Sequence, residues 1–266
     1  MFRICSEIFV VNQGLKLAIL ILGVLTIIIA VMMALVQHNY KRLLGYHAVS
    51  QVGYMIVGLG LGTVLGIAGG LFHMFNHAMY KAGLFLVAGN VEKNTGKEEL
   101  DELGGLSKFM PVTYIAALIF ALSISGIPPF NGFASKWMIY QGIIDFGKQP
   151  GLASNLWIIW LALAVIGSAL TLASFIKFIS GIFLGRIPDN TKIKEVNPAM
   201  WLPVIVLALV CLVAGVFAGK LVVPQLFGPV LGEISYTGIW DSSAIALLIL
   251  FSVILGILVY LSLIHI

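Results

Sequence analysis

The 266 residues are 60% hydrophobic and 10% charged, with a mean hydropathy of +1.07, whereas a soluble domain is about 45–50% apolar and about 25% charged. That balance excludes an ordinary soluble enzyme and predicts an all-α, polytopic transmembrane helix bundle of about seven to eight spans. The net charge of +4 is scattered, so no nucleic-acid partner is expected, and Cys5 and Cys211 are too far apart to suggest a disulfide framework or a zinc site.

The opening Met-Phe-Arg-Ile-Cys-Ser-Glu does not follow the basic, apolar, small-residue order of a cleavable signal. An apolar run over 15–37 predicts the first span, and a polar hinge, His38-Asn39-Tyr40-Lys41-Arg42, follows it. The second span, over 43–61, carries His47, Ser50, Gln51 and Tyr54 at helical spacing, which gives that helix a polar face. Gly58, Gly62, Gly66 and Gly70 recur every four residues across the next turn. Small residues let helices approach closely in lipid, and a tight connection accounts for part of the run.

The third span, over 64–91, holds no acid, yet His73, Asn76, His77, Tyr80 and Lys81 lie along one side of it. This polar stripe is about 12 Å long. It is costly in a bilayer, so it faces protein or water rather than lipid. Residues 92–108 mix Glu92, Glu98, Glu99, Asp101 and Glu102 with Lys93, Lys97 and Lys108. They predict a solvated loop with some helix, or a docking surface for a partner subunit.

The fourth segment, 111–127, ends at Pro128-Pro129, which removes two backbone donors, and a fifth runs to 146 with Lys136 one turn after the break. The stretch from Ser123 to Lys136 predicts a discontinuous helix or a tight helix pair; broken helices occur in membranes only where protein or water satisfies the freed backbone groups. A sixth segment, 155–184, carries Lys177. A polar link over 185–198 holds Arg186, Lys192 and Lys194, and apolar segments over 201–223 and 242–261 complete the chain. The Lys/Arg counts on the two sides are similar and favour neither orientation. The last six residues, 261–266, match one translation of a transposase adaptor end; they are expected to be a sequencing artefact, His265 included.

The candidate functional residues are the polar groups inside these spans: Lys81, His73, His77, Lys136, His47, Gln51 and Lys177. A lysine at a helix centre costs about 2.5–3.5 kcal/mol to insert. The 11 acids fall in loops, near span ends or in the N-terminal stretch, so none pairs with these lysines mid-span. A lysine that can become neutral can pass a proton on, and histidine titrates near neutrality. The expected path runs from His47 or Gln51 to His73, His77 and Lys81, then to Lys136. For each residue a structural role stands beside this one: interhelical hydrogen bonding for His47, snorkelling for Lys177. His73 and His77 are spaced to share a metal, but their segment offers no third ligand, so no metal is expected. No nucleophile constellation supports an enzyme.

Four ordered motifs carry a resemblance. They are Tyr40-Lys41-Arg42-Leu-Leu-Gly-Tyr46-His47-Ala-Val-Ser50-Gln51-Val-Gly53-Tyr54-Met55, then Phe72-His73-Met-Phe-Asn76-His77-Ala-Met-Tyr80-Lys81-Ala82, Leu103-Gly-Gly-Leu106, and Gly126-Ile-Pro128-Pro129-Phe-Asn131-Gly132-Phe-Ala-Ser135-Lys136. Together the chain resembles the antiporter-like, proton-conducting membrane subunits of respiratory complex I, of Mrp-type Na+/H+ antiporters and of energy-converting membrane-bound hydrogenases. Outside residues 35–145 the agreement is in hydropathy alone.

The resemblance implies a fold of two inverted five-helix repeats, each with a discontinuous helix and each contributing a half-channel. By resemblance Lys81 matches the central lysine that passes protons between the halves, His73 and His77 the histidines leading to it, and Lys136 the terminal ionisable residue of the second discontinuous helix. The family carries no redox centre or other cofactor in this subunit. Its partners are other membrane subunits of a multisubunit complex, the lipid bilayer, and H+ with Na+ as an alternative. The family's first repeat is absent. The chain is therefore expected to be a fragment, one membrane domain over 1–266 with the second proton-channel repeat at 43–185 and extra C-terminal helices at 186–260. The expected function is a proton-translocating, multi-pass subunit of a prokaryotic cell-membrane complex, NADH dehydrogenase-like or hydrogenase-like, and non-catalytic rather than a standalone enzyme. An Mrp-type antiporter subunit and a non-conducting scaffold are the alternatives.

Overall fold

The computed structural model describes residues 12–185 and 193–234. Every apolar segment predicted within them is helical: α1 (Gln13–Leu35), α2 (Tyr40–Leu61), α3 (Val64–Thr95), α4 (Pro111–Ser125), α5 (Asn131–Phe146), α6 (Trp157–Phe183) and α7 (Pro198–Val216). No strand forms among the described residues. Cys5, Arg186, Lys192, the predicted span over 242–261 and the segment 261–266 lie outside them.

The helix starts follow local chemistry. The side chains of Asn12, Asn39, Thr63 and Asn197 accept hydrogen bonds from first-turn amides of α1, α2, α3 and α7, which satisfies donors that have no intrahelical partner. Helix α3 runs four residues past the predicted end at 91 and stops at Gly96, φ 66°. Helix α7 ends earlier than the predicted 223. A π turn over Ala218–Val222 loosens it, and Pro224 and Pro229 confine the next stretch of chain to single turns.

Three helices, α1, α6 and α7, are long and apolar enough to cross a membrane by composition. Helix α2 is not among them; its polar residues His47, Ser50 and Gln51 are buried against protein, as are His73, Asn76 and Lys81 of α3. The lipid-facing surface is apolar: Leu22, Leu25 and Ile29 on α1, Ile158 and Ile176 on α6, and Leu202, Val206 and Leu209 on α7 are all exposed.

Helices α1 and α2 pack along their length, α3 packs on α2 and α5, and α6 and α7 close the outside against α1, α4 and α3. Both readings of the glycine run hold. Gly62 makes the tight α2–α3 turn at φ 67°, while a Cβ on Gly58 would stand 2.7 Å from the Gly66 carbonyl oxygen and 2.9 Å from Gly70 Cα. The backbones of α2 and α3 therefore touch where only glycine fits.

Between α4 and α5 the chain turns through Gly126 (φ 80°) and a cis Pro128-Pro129 bond. The two segments meet chiefly around this break rather than side by side, so the sequence Ser123 to Lys136 forms a discontinuous helix and not a tight pair. Helix α7 covers the break: a Cβ on Gly215 would stand 2.1 Å from the Pro129 carbonyl oxygen.

The charged stretch over 92–108 is more ordered than a solvated loop. It is pinned to the α1–α2 hinge by Tyr40 N to Glu98 O (3.1 Å) and Leu100 N to His38 O (2.9 Å), and Leu100 and Leu106 are buried. Lys41 Nζ lies 2.8 Å from both Glu92 Oε1 and Glu98 Oε1. The Lys41 ammonium, with Asn39, holds the Glu98 carboxyl below its ordinary value of 4.5. A carboxyl depressed by folding contributes stability above its unfolded value, and that contribution is lost as pH falls through the folded one. Lys41→Met is thus expected to lower the thermal midpoint slightly at neutral pH, as exposed ion pairs allow, and to have no effect well below pH 4.5. Thermal unfolding of the protein at both pH values measures this.

Across the polar link, Glu195 binds the start of α4. Its Oε2 accepts from Val112 N (2.9 Å) and Thr113 N (3.2 Å), and its Oε1 accepts from Thr113 Oγ1 (2.7 Å). A carboxylate at a helix N-terminus is favoured by the free amides there and by the helix dipole.

Candidate functional site

The break leaves a helix end inside the bundle. The last carbonyls of α4 have no intrahelical donor, and one of them, Ile124 O, accepts from Lys136 Nζ at 2.9 Å. Lys136 is only 2% exposed, and its ammonium also lies 4.6 Å from the centre of the Tyr54 ring. A cation at a helix C-terminus is stabilised by the dipole, so α4 supplies with backbone what a carboxylate would otherwise supply.

Lys81, 5% exposed, donates to Leu44 O in α2, and its ammonium lies 5.6 Å from the Phe85 ring. Leu44 is one helical turn from His47 on the same helix. The four ion pairs among the described residues involve His38, Lys41 and Lys148, so neither buried lysine faces a carboxylate.

His47 lies on α2, and His73 and His77 lie on α3. His73 is fully buried, with Nδ1 2.9 Å from Ser135 Oγ and Nε2 3.2 Å from Gln51 Oε1. Ser135 is the neighbour of Lys136, so this contact ties α3 to the residue next to the lysine. Tyr80 Oη stands 3.4 Å from His73 Nε2, and the Tyr80 ring meets the His77 ring edge-on at 5.7 Å. His47 Nε2 lies 2.7 Å from Ser174 Oγ of α6.

Around this set, His47 Nδ1, Gln51 Nε2, His77 Nε2, Asn76 Oδ1 and Asn131 Nδ2 are buried atoms without a protein hydrogen-bond partner. A native fold leaves few such atoms, and those it leaves are usually met by water. They lie on α2, on α3 and at the break. Among the described residues no three His, Cys, Asp or Glu side chains group as metal ligands.

Of the sequence-derived candidates, His47, Gln51, His73, His77, Lys81 and Lys136 come together. Lys177 stands apart: its Nζ donates to Leu35 O (3.0 Å), the last residue of α1, and to Gln37 O (2.8 Å) just beyond it. Sequence reasoning did not single out Ser135, Ser174 and Asn131. Ser135 and Asn131 were visible inside the break motif, but Ser174 carries no local signal. At the break, Asn76 Nδ2 donates to Asn131 O at 2.8 Å, and Ser123 Oγ donates to Asn131 Oδ1.

The chain is similar to known proteins in sequence and in fold. The family model described as NADH:quinone oxidoreductase/Mrp antiporter, TM matches residues 1–171. Formate hydrogenlyase subunit 3 of Escherichia coli is 35% identical over 218 residues, which cover 76% of this chain and 36% of that protein. A Na+/H+ antiporter subunit A1 of Staphylococcus haemolyticus is 34% identical over 233 residues, 81% of this chain and 29% of the relative. A chain of the membrane-bound sulfane sulfur reductase, an archaeal respiratory membrane complex, superposes with a TM-score of 0.81 at 30% identity, over 93% of this chain and 41% of that one. The chain spans about a third of the length of the curated relatives it matches. On the family match and these relatives, the four motifs and the broken-helix bundle place the chain: it belongs to the NADH:quinone oxidoreductase/Mrp antiporter transmembrane family.

Proposed function

We propose that this chain moves protons through the membrane as part of a larger complex, with Lys81 and Lys136 exchanging protons by way of His47, His73 and His77. One observation carries the reading. Two buried lysines are each held by a main-chain carbonyl and an aromatic ring, with histidines between them and no carboxylate beside them. A lysine in an ion pair keeps its proton, whereas one held by backbone dipoles in a low dielectric is able to give it up. The unpartnered polar atoms along the same line are where water would relay it.

Residues 43–185 act in this reading as one proton-channel repeat, followed by α7. The relatives' names support a complex driven by redox chemistry or coupled to Na+ exchange. The partners are then other membrane subunits, and the transported ion is H+, or H+ against Na+. Lys177, bonded to the end of α1, serves the fold in this reading.

The test is proton uptake by vesicles holding the complete complex, with Lys81 and Lys136 each replaced by methionine. Loss of uptake in complexes that still assemble supports the path. Unchanged uptake in both returns the chain to the scaffold role.

A further inference from the structure

We propose that Tyr54 is the positioning residue of Lys136: its ring face carries the ammonium, and its hydroxyl fixes where that ammonium stands relative to His73. The inference rests on the proton-path reading and deepens it.

Three observations converge. Lys136 Nζ is 4.6 Å from the Tyr54 ring centre, well within the roughly 6 Å over which an aromatic face attracts a cation. An ammonium has three donors, and Ile124 O accepts one of them. The Tyr54 ring also lies 5.5 Å from the His73 ring, so one side chain borders both the histidine and the lysine. Finally, the ring cannot drift. Tyr54 Oη donates to Ala164 O at 2.6 Å and lies 2.9 Å from Ser168 Oγ, both on α6. Tyr140 Oη, four residues beyond Lys136 on α5, lies 2.6 Å from the same Ser168 Oγ. The helix that carries the lysine and the ring beneath the lysine are therefore registered on one serine. Gly167 makes the room, since a Cβ there would stand 2.9 Å from Tyr54 Oη.

A core aromatic that only filled space would need neither the hydroxyl anchors nor a ring face turned to a cation. An aromatic face is also the partner a transferable proton calls for: it favours the charged lysine but offers no base to bind it as an ion pair.

The experiment places phenylalanine, then its 4-fluoro, 3,5-difluoro and 3,4,5-trifluoro derivatives, at position 54 of the full-length subunit in its complex. Proton uptake by vesicles is read for each. Fluorine hardly alters ring volume but drains the negative face step by step. Uptake is expected to fall about twofold from tyrosine to phenylalanine as the anchor is lost. It should then fall stepwise to about tenfold below the phenylalanine protein, with Tyr54→Leu as slow as the last member. A flat series overturns the inference, because packing is unchanged along it. Lys136→Met in the same vesicles separates the two claims. If it stops uptake while the series is flat, Tyr54 alone is misassigned; if it leaves uptake intact, the proton path and the role of Tyr54 both fall.

Discussion

Lys81→Met is expected to cut proton uptake at least tenfold while the complex still assembles. Methionine has nearly the length and flexibility of lysine, so the site between α2 and α3 stays filled. The lost hydrogen bond is to Leu44 O, in the interior of α2, where the carbonyl keeps its intrahelical bond. That loss is worth about 1 kcal/mol. Breaking a buried ion pair would cost about 3–5 kcal/mol, because a charge is left without its partner. Here no carboxylate is left behind, and removing a buried ammonium relieves a desolvation cost. Stability is thus preserved while the buried ammonium held between α3 and Leu44 O of α2 disappears. The checks are vesicle uptake, and subunit content on native gels to confirm assembly. Full uptake at normal subunit content would make the polar stripe a packing device.

The helices were legible in the sequence for two different reasons. Those of α1, α6 and α7 follow from apolar length alone. Those of α2 and α3 do not, because buried His47, Gln51, His73 and Lys81 lower their hydropathy; there the signal was polar residues repeating at helical spacing, together with the four motifs. That spacing also revealed which groups share a face, and the structure buries His73, Asn76, Tyr80 and Lys81 together. What spacing cannot reveal is which distant residue completes each contact. His47 meets Ser174 across 127 positions, and His73 meets Ser135 across 62. An isolated serine in an apolar helix gives no sign of facing a histidine. Lys177 shows the converse. Its position in an apolar span made it a candidate beside a snorkelling role, and whether a lysine near a span end reaches inward or caps a neighbour depends on where α1 ends. The predicted end of α7 at 223 differs from the observed one because Leu221, Val222 and Val223 continue the apolar character past Lys220, whereas the helix loosens into a π turn at Ala218–Val222, just before Pro224.

Gly132→Ala is expected to be the most damaging glycine-to-alanine change among the described residues, costing about 3 kcal/mol or more. Position 132 lies in the first turn of α5, where helix propensity alone would favour alanine by about 1 kcal/mol. The surroundings reverse that preference. A Cβ would stand 1.8 Å from the Ser123 carbonyl oxygen and 2.8 Å from its carbon. Those are backbone atoms, and Ser123 O already accepts from Gly126 N at 2.9 Å, the bond that closes α4. The carbonyl cannot swing away without undoing the end of that helix. If α5 moves instead, it carries off the Ser123–Asn131 bond and then the bond from Lys136 to Ile124 O, one residue along α4. The methyl therefore strikes the fold and the lysine site at once. Gly89→Ala is the matched control: it is also a helical glycine, and nothing lies within 4 Å of its added Cβ. It is expected to be neutral or to stabilise by up to about 1 kcal/mol. Thermal unfolding of the purified complex separates the two. Equal midpoints for both variants would mean that α4 and α5 are not pressed together at the break, and the backbone support for Lys136 would then have to be abandoned.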